Sequence, residues 1–493
     1  MKIADNPLYA IALDNIRTLT SSTLEWSDLA AGALKVAETD ITDTHNLLQT
    51  LHVIQRLNKI AAAGLGDHQA FYDDCVKHDK DMPLWKDFAT LDVDPALQDS
   101  LADKLYNIRP GMNDAGMLNL GQSTARIAER LVERCQNDNA LFIANIVDAS
   151  FNALVLTHAD DAGIQNLAKN YCDITANITR IMTARENTPV VKPLEAPKEK
   201  ERAYGAATRP FSDRIGNGDL FYTLTCIPTV KDAVIDNIDH KEYLNLFFEM
   251  CDQPWEEIGQ AQKSLIAEFN AAATVRITNN DGTDISMSLV DTDGSHFTFC
   301  NSLIAKNVPG SEIFSAPRRD SVDGVIVAKG RFGDAGEIEN LRMEFEKGRL
   351  VRYSADKGLE EFEKEIGVDE GARWTGELGI GTNPHLKKHV ANGLLVEKIG
   401  GSFHMALGHP YTYTEYGGEP VKVDNGNKSD LHWDLTTMLH GKDGCIYLDG
   451  RAVMKDGRWL DDKYAVLNDG WNAVDKEKRP AYWQSKPKIE PFR

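Results

Sequence analysis

What this 493-residue sequence lacks says a good deal about where it works and what it touches. No stretch approaches the run of about 18 or more apolar residues that a membrane-spanning helix needs. The start, Met1-Lys-Ile-Ala-Asp-Asn-Pro7, carries no apolar core of a secretion signal. The seven cysteines (Cys75, Cys135, Cys172, Cys226, Cys251, Cys300 and Cys445) form no Cys-x-x-Cys pair, and their number is odd. Free thiols buried in a reducing cytoplasm suit that pattern better than a disulfide framework. There is no long basic run and the net charge is −21, which argues against nucleic acid or an anionic membrane as partner. Neither Gly-x-Gly-x-x-Gly nor a phosphate-binding loop occurs, so nucleotide binding has no support. The expectation is a cytoplasmic protein whose partners include neither membrane nor nucleic acid.

What is present divides the chain. The length implies roughly two or three domains, and an apolar fraction of 42% is enough to build their cores. Residues 1–104 read as a helical extension of unknown role. In its clearest helix Asp43 or Thr44 is the N-cap, Leu47, Leu51, Ile54, Leu57 and Ile60 recur at helical spacing, and Gly64 stands at the C-terminal cap. Prolines at 83 and 95 punctuate the rest of the extension, and His45, His52, His68 and His78 read as solvated or capping residues. From 105 to 190 helix and strand alternate. Ser123 or Thr124 caps a helix with Ile127, Leu131 and Cys135 on one face, and Ala140 to Val147 reads as a buried strand. A second apolar run, Ala153 to Leu156, precedes a helix through Ile164, Leu167, Tyr171, Ile174, Ile178 and Met182. Such alternation predicts a parallel sheet. Lys192 to Arg202, charged and with two prolines, reads as an exposed loop or hinge. A strand over Phe221 to Ile227, stopped by Pro228, is followed by helices around Tyr243 to Phe248 and Trp255 to Phe269.

From Ala273 the pattern becomes β. Thr274 to Thr278 and Ile285 to Leu289 flank Asn279-Asn-Asp-Gly282, which is a hairpin signature. Further alternating segments start at Gly324, Leu341 and Leu350. The predicted fold class is therefore α/β followed by α+β. Its predicted parts are the helical extension 1–104, a parallel-sheet α/β domain with a helical connection over 105–272, and a β-rich catalytic domain over 273–493.

The β-rich part holds the chemistry. Six of the 13 histidines fall between His385 and His440, and histidine with carboxylate is the ligand set of zinc, cobalt and manganese. In His432-Trp-Asp434, positions i and i+2 of a strand share a face, so an imidazole and a carboxylate stand side by side while Leu431, Trp433 and Leu435 face the other way. Alone, that spacing equally suits a surface pair on an ordinary amphipathic strand. Two more carboxylates sit in unusual frames. Glu312 lies in Pro309-Gly-Ser-Glu-Ile-Phe-Ser-Ala-Pro317, and Glu377 lies in Arg373-Trp-Thr-Gly-Glu-Leu-Gly-Ile-Gly-Thr-Asn383. Glycines there let a backbone approach a ligand or a second segment closely. With His404 these residues make three carboxylates and two imidazoles, a set able to hold two divalent ions.

Taken in order, these segments and Glu397-Lys-Ile-Gly-Gly-Ser-Phe-His404-Met-Ala-Leu-Gly408 resemble the AmpS/AmpT-type dinuclear metalloaminopeptidases, the thermophilic-type leucyl aminopeptidases. The resemblance covers roughly 105–493, is strongest from Ala273 onward, and leaves 1–104 as an extra segment. It implies two divalent ions per subunit, zinc, cobalt or manganese, bound by Glu312, His404, His432 and Asp434, with Glu377 at the metal pair as ligand, general base or both. It also implies a further acidic residue at Glu397, an oxyanion-stabilising phenol at Tyr411, and a homodimer whose inner chamber admits short peptides. His409 reads as a supporting or surface residue. Two other functions fit the same residues. One is a metal-dependent amidohydrolase acting on a non-peptide amide, which would not require a free substrate amine. The other is a catalytically silent metal- or peptide-binding protein, a role the helical extension keeps open.

Overall fold

The computed structural model describes residues 1–78, 89–107, 115–304, 306–333 and 336–493; the predicted break at 81–83 lies outside them. Two units divide the chain, Met1–Thr229 and Val230–Arg493.

The first unit is built on four parallel strands, β1 (Gly116–Leu120), β2 (Phe142–Ile146), β3 (Arg180–Glu186) and β4 (Phe221–Ile227), in the order β2-β1-β3-β4. Most side chains of β1, β2 and β3 are buried, as a parallel sheet covered on both faces requires, while β4 at the edge is half-buried at Phe221, Tyr222 and Leu224. The helix Ala125–Asn137 buries Ile127, Leu131 and Cys135 as predicted. Two expectations fail here for physical reasons. The apolar run at 153–156 is itself helical, inside Ala149–His158, because a short run buried all round has no period to mark it as helix or strand. The next helix, Asp161–Thr175, stops short of Ile178, and Met182 belongs to β3. Part of the predicted loop at 192–202 also folds, into the helix Lys198–Ala207, with Glu199 and Glu201 in its first turn where the helix dipole favours anions.

The N-terminal helices have a defined task. Asp43 accepts the Asn46 N–H at 2.7 Å to start the helix Thr44–Ala62. Gly64, at φ +70°, ends it while the Leu65 N–H reaches back to the Ile60 carbonyl. β2 is an edge strand, and side chains from this region take up its open backbone groups. Asn6 Nδ2 donates to the Phe142 carbonyl (2.8 Å), and the Ala144 N–H donates to the Tyr9 hydroxyl (2.8 Å). Gln55 takes both groups of Ile146, accepting its N–H at 2.7 Å and donating to its carbonyl at 2.9 Å. His68 caps a helix as expected, its Nδ1 accepting the Phe71 N–H. His52, expected in solvent, is fully buried with Nε2 3.2 Å from Asp148 Oδ2, and Asp148 also takes Arg56 Nε at 2.6 Å. Beside the switch point between β1 and β3, Glu186 accepts the N–H and hydroxyl of Ser123 at 2.6 and 2.5 Å. The chain's own carboxylate thus occupies the place where an α/β sheet usually receives a ligand.

The second unit opens with helices that include His240–Cys251 and Trp255–Ala271, near the predicted positions. Its strands are β5 (Thr274–Thr278), β6 (Asp284–Ser288), β7 (Cys300–Ser302), β8 (Glu312–Ser315), β9 (Asp323–Phe332), β10 (Ile338–Glu346), β11 (Arg349–Lys357), β12 (Thr375–Gly381), β13 (Ser402–Gly408), β14 (Glu415–Tyr416), β15 (Glu419–Pro420), β16 (His432–Met438), β17 (Cys445–Leu448), β18 (Arg451–Lys455) and β19 (Arg458–Trp459). Eight form an antiparallel sheet, β11-β10-β9-β6-β5-β17-β18-β19; five form a second, β16-β13-β12-β8-β7; β14 and β15 make a small hairpin. The predicted hairpin at Asn279–Gly282 joins β5 to β6. One hydrophobic core unites Ile277, Ile285 and Met343 of the larger sheet with Leu378, Phe403, Met405 and Leu435 of the smaller. Among the described residues no helix is long and apolar enough to cross a membrane.

Candidate metal centre

The five-stranded sheet has a second face, and the predicted ligands meet there. Along β13, Phe403, Met405 and Leu407 enter the core, so His404, Ala406 and Gly408 point the other way. Register aligns the neighbours. Glu377 of β12 and Asp434 of β16 both pair with Ala406, Gly379 pairs with His404, and Gly381 pairs with Glu312 of β8. His432, opposite Gly408, shares its face with Asp434, while Leu435 is in the core and Trp433 packs against it. The small residues between the ligands make the hollow. A β-carbon on Gly379 would lie 1.9 Å from His404 Nε2, and one on Gly381 would lie 2.1 Å from the Ile399 carbonyl oxygen.

The geometry is two-lobed. His404 Nε2 lies 3.5 Å from Glu312 Oε2, 3.6 Å from Glu377 Oε1 and 3.8 Å from Asp434 Oδ1. His432 Nε2 lies 3.4 Å from Glu377 Oε2 and 3.5 Å from Asp434 Oδ2. Each imidazole therefore faces one oxygen of Glu377 and one of Asp434. Ligand atoms of Glu377, His404 and Asp434 all lie within 4.8 Å of one another. Glu312 Oε2, Glu377 Oε2, His404 Nε2, His432 Nε2 and Asp434 Oδ1 are all buried without a hydrogen-bond partner. Leaving such groups unpaired costs about 1–3 kcal/mol each, and coordination to cations is what would satisfy this donor set. His432 is also prepared from behind: its Nδ1 lies 2.7 Å from the His409 carbonyl oxygen, which holds a proton on Nδ1 and leaves Nε2, facing the carboxylates, as the atom that would bind an ion.

Charge points the same way. Burial opposes an imidazolium at His404, yet the carboxylates of Glu377, Asp434 and Glu312 push its pKa up to about 9. At His432 burial is likewise outweighed by Asp434 and Glu377, and the value rises to about 10. Burial and the Asp434 charge raise Glu377. Burial pushes Glu397 up to about 8, with Lys398 pulling against it and Glu312 and Asp434 adding to the rise. The carboxylates crowd closely enough to hold both imidazoles in their charged form and to raise Glu377 and Glu397, and divalent ions would supply the positive charge that those protons now carry.

The remaining predicted residues border this centre. Glu397 is buried beside Lys398, whose Nζ lies 2.6 Å from Glu397 Oε1 and 2.5 Å from Glu312 Oε1. The ammonium ties Glu397 to Glu312 and engages the one Glu312 oxygen that does not face His404. Tyr411 packs its ring on Phe314 (5.0 Å), Tyr413 (5.1 Å, stacked) and His432 (5.4 Å). Burial and the surrounding carboxylates raise its phenol strongly, so it keeps its proton at neutral pH. His409 contributes through its backbone. Three supporting side chains escaped the sequence reading. Lys398 is one, and its signal was a lone cation inside the apolar segment from Leu394 to Ile399. Asn383 Nδ2 donates at 2.7 Å to the Gly310 carbonyl just ahead of Glu312, and Asn427 Nδ2 donates at 2.6 Å to the Gly408 carbonyl at the end of β13.

Comparison with known proteins covers the segments that carry these residues. The profile of the thermophilic metalloprotease (M29) peptidase family matches residues 109–459. Aminopeptidase T of Thermus thermophilus is 27% identical over 303 residues, covering 56% of this chain and 74% of the relative. Aminopeptidase T of Thermus aquaticus is 32% identical over 193 residues, 36% of this chain and 47% of the relative. Aminopeptidase AmpS of Bacillus subtilis is 30% identical over 166 residues, 31% of this chain and 40% of the relative. The solved structure of wild-type AmpT from Thermus thermophilus superposes with a TM-score of 0.57 at 21% identity, spanning 74% of this chain and 99% of that one, so the fold is shared. A match that runs through both units and across every strand bearing a candidate ligand places the chain in the thermophilic metalloprotease (M29) family.

Proposed function

We propose that this metallopeptidase is an aminopeptidase that removes N-terminal residues from short peptides, using a water activated between two divalent ions. One observation carries the reading: each of two buried imidazoles faces one oxygen of Glu377 and one of Asp434. His404 and Glu312 would hold one ion and His432 the other, with Asp434 shared, Glu377 standing beside the pair as the base, and Glu397 completing the acidic shell beside Glu312. The nitrogen and oxygen donors suit zinc, cobalt or manganese. When bound, two such ions supply a water acidified toward a pKa of about 7 and polarise the scissile carbonyl.

The chain's own residues do the rest. Glu377, whose carboxyl burial makes more basic than usual, accepts the water proton at Oε2 and passes it to the leaving amine. Tyr411, kept protonated, donates its hydroxyl proton in a hydrogen bond to the oxyanion. A free α-amine can be held by one of the ions or by a carboxylate of the site, a contact that an N-acylated substrate cannot make. The relatives' names support the exopeptidase reading. The family resemblance supports a homodimer with a chamber sized for peptides, and seven cysteines outside any disulfide support a cytoplasmic setting.

The test uses metal-stripped protein re-supplied with zinc, cobalt or manganese. Cleavage of leucine-p-nitroanilide but not of its N-acetyl form is expected. Glu377→Gln is expected to keep two equivalents of metal while kcat falls at least about a hundredfold. Equal cleavage of the N-acetyl substrate would move the assignment to a general amidohydrolase. Two bound ions without any cleavage would move it to a binding protein, and loss of metal from the Gln variant would make Glu377 a ligand rather than the proton carrier.

A further inference from the structure

A buried ammonium stands against one half of the metal centre and not the other. Lys398 follows the short helix Gly393–Val396, and its backbone is pinned on both sides. Its N–H donates to the Leu395 carbonyl at 3.1 Å, and its carbonyl accepts the Asn383 N–H at 2.9 Å. The residue is 1% exposed. Its Nζ donates to Glu312 Oε1 at 2.5 Å and lies 2.6 Å from Glu397 Oε1. A buried charge is costly unless partners answer it, and here both partners are carboxylates of the centre. Among the described residues, Glu377 and Asp434 make ion pairs only with His404 and His432.

The arrangement makes the two halves unequal. One Glu312 oxygen is taken by the ammonium. The other, Oε2, is buried without a hydrogen-bond partner and lies 3.5 Å from His404 Nε2. Glu312 therefore has a single oxygen to give an ion, and that ion would stand one carboxylate away from a fixed positive charge. Like charges at that range repel strongly away from water. Without ions the same ammonium has the opposite effect. It keeps two buried carboxylates from repelling each other, so Glu312 stays in place beside His404.

We propose that Lys398 is a positioning residue and a built-in counter-ion: it holds the Glu312–His404 half of the centre in place before metal arrives, and it makes the ion there the weaker-bound of the two. The inference rests on the two-ion reading above. It gives the centre one lasting ion, at His432 and Asp434, and one exchangeable ion whose occupancy follows the free metal concentration.

Zinc titration of the metal-stripped full chain, by calorimetry and by competition with a chromogenic chelator, compares the parent with Lys398→Met and Lys398→Arg. Methionine keeps an unbranched stem without the charge, and arginine keeps the charge. The parent should take up two ions in steps at least about tenfold apart, and Lys398→Met should strengthen the weaker step by about tenfold or more. Lys398→Arg should keep the parent's separation. Glu312→Gln should lose the weaker step and keep the stronger, which locates the exchangeable ion. Thermal melting adds a readout that a merely structural lysine would not move. Removing one partner of a buried ion pair is strongly destabilising, so Lys398→Met should melt well below the parent in chelator. Saturating zinc should close most of that gap, because the ion replaces the missing charge and binds the variant more tightly. A gap of equal size with and without zinc, or unchanged steps in a folded Lys398→Met variant, would overturn the inference and leave the two-ion reading standing. Equal steps in the parent, or loss of the stronger step in Glu312→Gln, would overturn it even if the methionine variant failed to fold. Uptake of a single ion by the parent would overturn both.

Discussion

Gly379 faces His404 across the β12–β13 ladder, and a methyl group there would overlap the imidazole at 1.9 Å from Nε2. The neighbour cannot yield cheaply, because His404 is fully buried. Gly379→Ala should therefore displace the ring, weaken metal binding at least about tenfold and destabilise the protein by about 1–3 kcal/mol, the usual cost of overpacking. Competition with a chromogenic chelator reads the first effect and thermal melting the second; a variant that binds metal as tightly as the parent would remove Gly379 from the site's design. At this scale much of the centre was legible in the sequence. Glu312, Glu377, His404, His432 and Asp434 stood out together: strand period paired His432 with Asp434, glycine frames marked Glu312 and Glu377, and the family resemblance joined them to His404. Lys398, Asn383 and Asn427 did not stand out, for a physical reason. The asparagines act on backbone carbonyls 73 and 19 residues away, and Lys398 owes its burial to carboxylates whose positions only the fold reveals.

Between elements, burial of polar groups decides what holds and under which conditions. Glu249, in the helix His240–Cys251, is buried where two other segments meet it. Its Oε2 lies 2.6 Å from His385 Nε2, and its Oε1 accepts from Tyr482 at 2.5 Å and from Lys486. Burial alone would raise its pKa, but the His385 ring, the Lys486 ammonium and the Tyr482 hydroxyl bring it from 4.5 down to about 2. A depressed carboxylate stabilises the fold above its unfolded value and loses that contribution as the pH falls through the folded one. Here that contribution is about 3 kcal/mol at neutral pH, lost between about pH 4.5 and 2. Glu249→Gln should melt lower than the parent at pH 7, with the gap closing over that acid range. A gap of equal size at every pH would show that shape, not charge, ties these segments. The same contrast explains which elements the sequence announced. β5, β6 and β10 each expose one face and bury the other, so apolar and polar residues alternate and the strands were readable. β1 to β3 are covered on both faces, alternation vanishes, and the short helix Ala149–His158 looked no different from a strand.

At the scale of the whole chain, residues 1–104 lie ahead of the family match, which begins at 109, and the hydrogen bonds they make assign them a task. A four-stranded sheet ending at β2 would present the backbone groups of Phe142, Ala144 and Ile146 unpaired, an open template for another chain. Asn6, Tyr9 and Gln55 take up those groups one by one. Leu47, Leu51, Ile54 and Leu57 are buried in the same unit, so removing the extension exposes apolar surface together with an edge. Deletion of 1–104 should convert the protein into larger assemblies, seen by light scattering after size exclusion, even though the remaining chain stays acidic, which favours solubility. Gln55→Ala is the graded version. It leaves the Ile146 N–H and carbonyl without their partner and should cost about 1–3 kcal/mol while the helices stay docked, so melting should fall without a change in assembly. If the deleted chain instead keeps the parent's size and melting temperature, edge protection is not its work. A shift in preferred peptide length under those same conditions would then mark the extension as a part of substrate selection.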